Sequence, residues 1–167
     1  RSAAPGRPKD PEKRAAILEA AQRLFPERGY DGVSMDAIAQ AAGVSKLTVY
    51  SHFDDKESLF AAAVTTCCED LLPHGVFEPS ASQPVREALT AIAQGFTGLI
   101  MDPLAIKLHQ VMVGQAGQSP RLAEVFFAAG PRRTLDEMES FLRQAHAAGT
   151  LDDAGLADLD APVWRVI

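Results

Sequence analysis

The chain has 167 residues, 47% apolar and only 7% aromatic, and no stretch of about 20 apolar residues that could span a membrane. That composition supports a sizeable core and excludes disorder over most of the length, and its abundant alanine favours helix over sheet. The net charge of −6 would speak against a nucleic-acid partner, but residues 1–60 carry 9 Lys/Arg and 9 Asp/Glu whereas residues 61–167 carry 7 and 13, so the acidity lies in the second part.

Residues 1–11, RSAAPGRPKDP, read as a flexible arm, and Arg1, Arg7, Lys9, Lys13 and Arg14 make this end basic. No signal peptide is visible, and the chain starts at Arg1. Asp10 and Pro11 form a helix start. Ile17, Ala21, Leu24 and Phe25 then recur on one helical face. Gly29 is expected to end this helix as a left-handed cap, with a kink or tightened turn at Pro26.

Ser34 caps a second helix with Met35, Ile38, Ala39 and Ala42 on its inner face. Gly43 supplies a turn. Ser45 caps a third helix, from which Val49 and Phe53 point inward. Asp54 and Glu57 stand at capping-box spacing and open a fourth helix, running through Phe60, Ala63, Cys67 and Leu71 to about Leu72. Cys67 and Cys68 are adjacent, a poor geometry for a disulfide, and this usage fits a reducing cytoplasm. Glu69 and Asp70 beside them disfavour a thiolate, so a redox switch is not expected.

Residues 73–83 form a loop between a small N-terminal unit and a larger helical body. Pro84 starts a helix to about Met101, Asp102-Pro103 the next to about Gln115, and Ser119-Pro120 a third toward Gly130. Gly130-Pro131 breaks or kinks the chain before helix resumes to Ala148 and closes at Gly149. Residues 150–160 read as an acidic loop. Asp160 and Pro162 open a last helix that stops at Ile167 without a cap, the pattern of an incomplete C-terminus.

The stretch Ser34–Phe60 has the order of parts that presents one helix to the DNA major groove. Lys46, Leu47 and Thr48 lie at the start of the third helix, where side chains approach base edges. Lys46 can donate to guanine or phosphate, Thr48 to either, and Leu47 can meet a thymine methyl. Tyr50, Ser51 and His52 can reach phosphates. Ser34 and Lys56 sit at helix N-termini, which attract anions. The alternative is that Tyr50 and Phe53 pack, His52 is solvated and Lys56 offsets Asp54 and Asp55. For Phe53 packing is the better reading.

Ile17–Phe25, Glu27-Arg28-Gly29-Tyr30, Ser34–Gly43, Val44-Ser45-Lys46, Thr48-Val49-Tyr50, His52-Phe53 and Lys56-Glu57-Ser58-Leu59 together resemble the tetracycline-repressor (TetR) family of bacterial transcriptional regulators. The resemblance implies an all-α chain: a three-helix DNA-binding domain at 12–60 and an effector-binding and dimerisation domain at 61–167. It further implies a homodimer on a near-palindromic double-stranded operator, most often repressing. By position, Lys46, Leu47 and Thr48, which follow the cap Ser45, would face bases. Ser34, Tyr50, His52 and Lys56 would hold phosphates, and Arg7 would enter a minor groove. Leu47 and Pro26 depart from the family's usual residues. The family ends in two long dimer-forming helices, and this chain ends where the first begins.

Ala116–Gly149 resembles the C-terminal domain of one TetR subgroup without naming a ligand. An unidentified small-molecule effector would sit between helices, and Phe96, Leu99, Ile100, His109, Met112, Val113, Phe126, Phe127 and Phe141 are candidate linings, or simply core. His109 would orient a ligand or be a satisfied interior histidine. Arg132-Arg133 would hold an acidic effector or form a solvated face. No metal-ligand spacing, cofactor motif, nucleophile–base set or paired catalytic carboxylates is present, so no enzyme is expected. A protein-binding helical module that borrowed the motif is a further alternative.

Overall fold

The computed structural model of the protein describes residues 10–78, 83–115 and 117–151, and among these the regular structure is helical throughout. Helix α1 spans Pro11–Arg28, with the Asp10 carboxylate accepting from the Glu12 N–H at 3.1 Å. It therefore takes Lys13 and Arg14 out of the basic arm. The helix also runs unbroken past Pro26, which lies in its last turn and withholds a donor only from the Gln22 carbonyl. Gly29 has the expected positive φ of 71°, but its ψ of 170° lies outside the left-handed helical region.

Helices α2 (Met35–Ala41) and α3 (Lys46–His52) each carry a serine cap: Ser34 accepts from the Ala37 N–H and Ser45 from the Thr48 N–H, both at 3.1 Å. Between them Gly43 adopts φ 66° with open space where a Cβ would stand, so conformation rather than crowding calls for glycine. Helix α4 (Lys56–Leu71) begins one residue later than the Asp54/Glu57 spacing suggests. Asp55 is the cap, accepting from the Ser58 N–H at 2.7 Å, while the Ser58 hydroxyl accepts from the Asp55 N–H at 3.2 Å. Leu59 and Phe60, in the first turns of this helix, are fully buried.

The predicted loop after α4 contains a short 3-10 turn, His74–Phe77, whose Phe77 is buried. Then come α5 (Val85–Met101), α6 (Pro103–Gln115), α7 (Pro120–Ala129) and α8 (Pro131–Ala147). Asp102 caps α6 through the N–H groups of Leu104 and Ala105, at 2.8 and 3.1 Å. Residues 1–9 of the arm expected over 1–11, with Arg7, residues 152–160 of the expected acidic loop and the last helix after Asp160 lie outside the described residues.

Two cores organise these helices. The first gathers Ile17, Leu24, Phe25, Ile38, Val49 and Phe60 from α1–α4 and includes Leu108 of α6 and Leu122 of α7. At its centre the Phe25 and Phe60 rings meet edge to face, centroids 5.1 Å apart, with Tyr30 edge-on to Phe60 at 5.6 Å. The fully buried Phe25 and Phe60 rings each contribute about 1.5–3 kcal/mol through burial alone. The second core holds Leu72, Phe77, Ala88, Ile92, Leu99 and Phe141. Cys68, Leu71 and Ala105 border both. Residue 60, the expected division, thus falls inside α4 and inside the first core.

Candidate DNA-contact surface

Helix α3 has seven residues and two opposed faces. Val49 is fully buried and, with Phe53 just past the helix end, presses α3 onto the first core. The outer face presents Leu47, 82% exposed, and Tyr50, 43% exposed. Thr48 lies between, half-buried, with its hydroxyl 2.8 Å from that of Ser45. Rigid inner anchoring with large side chains held in solvent is the arrangement that lets a short helix enter a groove.

The predicted phosphate residues divide by what they already hold. Ser34 uses its hydroxyl to cap α2. Lys56 turns toward the loop after α1: its Nζ donates to the Tyr30 carbonyl at 2.9 Å and lies 4.2 Å above the Tyr30 ring. The Tyr30 phenol is itself pushed up to about 12, by burial first and then by Glu57, Asp55 and Asp31. His52 is half-buried, its ring tilted beside Phe53 at 6.4 Å. Ser51, one of the residues expected to reach phosphate, donates instead to the Thr48 carbonyl within α3, at 2.7 Å.

Two groups near this surface escape sequence reasoning. Asp36 of α2 forms an ion pair with Lys46, at 2.8 Å. Arg14 of α1 places its guanidinium 5.3 Å from the centre of the Phe53 ring. Their partners lie 10 and 39 positions away, beyond any local periodicity.

The unit bearing α3 is tied to the helices beyond it. Arg121 at the start of α7 donates to Glu57 of α4 at 2.9 Å, and Gln115 at the end of α6 donates to Asp31 at 2.9 Å. The Thr65 hydroxyl of α4 donates to the Ala129 carbonyl at 3.0 Å. The first tie lands in the first turn of α4, beside Lys56, and the second on the loop whose Tyr30 carbonyl Lys56 holds.

The candidate effector linings do not converge. Leu99 and Phe141 belong to the second core, and Phe126 packs against the first. Met112 is half-buried, whereas Phe96, Ile100, Val113 and Phe127 are exposed. His109 is exposed rather than interior, its ring edge-on to Phe126 at 5.7 Å. Helical spacing marks an apolar stripe without saying which neighbour covers it. An open concavity of about 810 Å³ runs instead along α5, beside Val85, Arg86, Leu89, Thr90, Ala93, Gln94 and Thr97. Arg133 already faces two carboxylates, Glu69 at 3.0 Å and Glu137 at 3.9 Å, and Arg132 lies over Phe127. Burial, then Cys68, Asp102 and Asp70, pushes the Cys67 thiol up to about 12, so burial outweighs its acidic neighbours.

The model of the tetR family of bacterial regulatory proteins matches residues 17–63, and that of the AefR-like transcriptional repressor C-terminal domain matches residues 87–157. IcaR of Staphylococcus aureus, the HTH-type negative transcriptional regulator of the icaADBC biofilm operon, is 43% identical over 56 residues. That stretch is 34% of this chain and 30% of IcaR, so the match spans less than a third of that relative. A solved putative TetR-family regulator from Mesorhizobium loti superposes with a TM-score of 0.66 at 30% identity, over 86% of this chain and 72% of its own. The flavonoid-responsive regulator FrrA gives 0.65 at 36% identity, over 83% and 70%.

Proposed function

The chain belongs to the TetR family of transcriptional regulators, and on that premise we propose that it is a ligand-released repressor that acts in the cytoplasm as a homodimer on a near-palindromic DNA operator. One observation carries the DNA-binding half of this reading. It is an α3 fully anchored by Val49 and Phe53 that holds Leu47 and Tyr50 in solvent beside Lys46 and Thr48. Two such helices in a dimer would meet successive major grooves about 34–36 Å apart. FrrA responds to a flavonoid by its name, which makes small hydroxylated aromatic effectors a natural first class to screen.

Release requires the effector to favour a conformation in which the two α3 helices no longer match that spacing, by several kcal/mol if binding is to be shut off. The ties from Arg121 to Glu57 and from Gln115 to Asp31 are a physical route from α6 and α7 to the N-terminus of α4. The test is a gel-shift titration with duplexes selected from a random DNA pool. Lys46→Ala is expected to weaken binding by about 1–3 kcal/mol, and Tyr50→Phe by less. Wild-type affinity in both variants would sink the assignment. Steep loss of affinity with salt is expected of a DNA partner and not of a protein-binding module.

A further inference from the structure

Helices α2 and α3 contain one acidic residue, Asp36, and one lysine or arginine, Lys46. The two are paired, with Lys46 Nζ 2.8 Å from one Asp36 oxygen and 3.1 Å from the other. Both side chains are more than half exposed, so the pair lies on the open surface rather than in the core. The hydrogen bond to Asp36 also holds the ammonium's pKa above its ordinary value. The motif therefore approaches DNA with its formal charge cancelled and its reading lysine already occupied.

Binding to arbitrary DNA is driven almost wholly by attraction between cations and phosphates. A lysine free on α3 would contribute to that attraction at every position along a duplex. Held by Asp36, it is kept from arbitrary phosphates, because reaching them breaks the ion pair and bares a carboxylate to the backbone. At a matching site Lys46 keeps the carboxylate and directs a remaining N–H to guanine O6 or N7, while Leu47, Thr48 and Tyr50 seat at the same time. We propose that Asp36 is a specificity-determining residue, which withholds Lys46 from the phosphates of arbitrary DNA and aims it at the base edges of a matching site. This rests on α3 being the reading helix. Without Asp36 the freed charge gains phosphate contact everywhere, and at the matching site that gain is offset by the lost aim.

Asp36→Asn tests it with two duplexes of equal length: one selected from a random pool by the wild-type protein, and its scrambled counterpart. The substitution is expected to tighten binding to the scrambled duplex by about three- to tenfold near 0.1 M salt, and to change binding to the selected one by less than about twofold. The salt dependence on scrambled DNA should steepen by about 0.9 in log–log slope for each α3 engaged, as one more phosphate contact forms. In a Lys46→Met background that steepening should vanish, whereas a mere effect of Asp36 on α2 stability would persist there. Asp36→Ser, which keeps a polar group in the first turn, should repeat the result if Asp36→Asn folds poorly. Equal shifts on both duplexes, or equal shifts with and without Lys46, overturn the proposal. The two readings fail differently. Lys46→Met binding the selected duplex as tightly as wild type removes Lys46 from DNA reading altogether. Weakened binding there, with an unchanged selectivity in Asp36→Asn, removes only the role of Asp36.

Discussion

Helices α1–α4 and helices α5–α7 follow the same helical periodicity and use it differently. In the first group the large apolar residues are inside: Ile17, Phe25, Ile38, Val49, Leu59 and Phe60 are fully buried, and the conspicuous exceptions are Leu47 and Tyr50 on the outer face of α3, proposed to meet DNA. In the second group Phe96, Ile100, Met101, Ile106, Val113 and Phe127 are 39–68% exposed. An exposed large side chain is therefore informative in the N-terminal unit, where it is rare and singles out the proposed contact face, and ambiguous in the body, where it is common.

The widest separation between the regions is expected in core stability. Phe60→Ala should cost about 3–5 kcal/mol in denaturant unfolding and abolish DNA binding, because that ring joins α1, α4 and the Tyr30 loop. Phe96→Ala, on an exposed face of α5, should stay within about 0.5 kcal/mol of wild type. Similar costs for the two would erase the contrast. A smaller effect belongs to the caps. Ser34→Ala removes the acceptor for the Ala37 N–H and should destabilise by about 1 kcal/mol, read as a lower thermal midpoint.

The Tyr30 ring gives the same contrast a pH signature. Its phenol ionises near 10 when unfolded and is pushed up to about 12 in the fold, so the folded state keeps a proton the unfolded chain gives up. The stability this contributes is whole below pH 10 and is lost as pH rises toward 12. Tyr30→Phe should flatten that part of the unfolding profile, measured by denaturant titration at stepped alkaline pH. The smallest change in stability is expected for Leu47→Ala, within about 0.5 kcal/mol, since the side chain is 82% exposed. Its effect should appear in the selected DNA instead, as a relaxed preference at one base position. Unchanged sequence preference would remove Leu47 from the reading face.

Most of the fold was legible because its signals are local. Ser34, Ser45 and Asp102 each bond to an N–H two or three residues on. The capping box of α4 was misplaced by one residue because Asp54/Glu57 and Asp55/Ser58 offer the same spacing, and the fold forms only the second pair. The effector linings were least legible. Phe141 and Phe96 both lie on apolar helical stripes, yet one is buried under α5 and the 3-10 turn and the other faces solvent.

By itself, then, the sequence determined the helices, the serine and Asp102 caps, the glycine turn and the two faces of α3, since each depends on residues within about one helical turn of one another. Tertiary structure alone decided that Asp36 holds Lys46, that Lys56 folds back on Tyr30, and that α6 and α7 grip the start of α4 through Asp31 and Glu57. Those contacts join residues 10 to 84 positions apart, and which of them form depends on how whole helices pack, a property no single helix's periodicity contains.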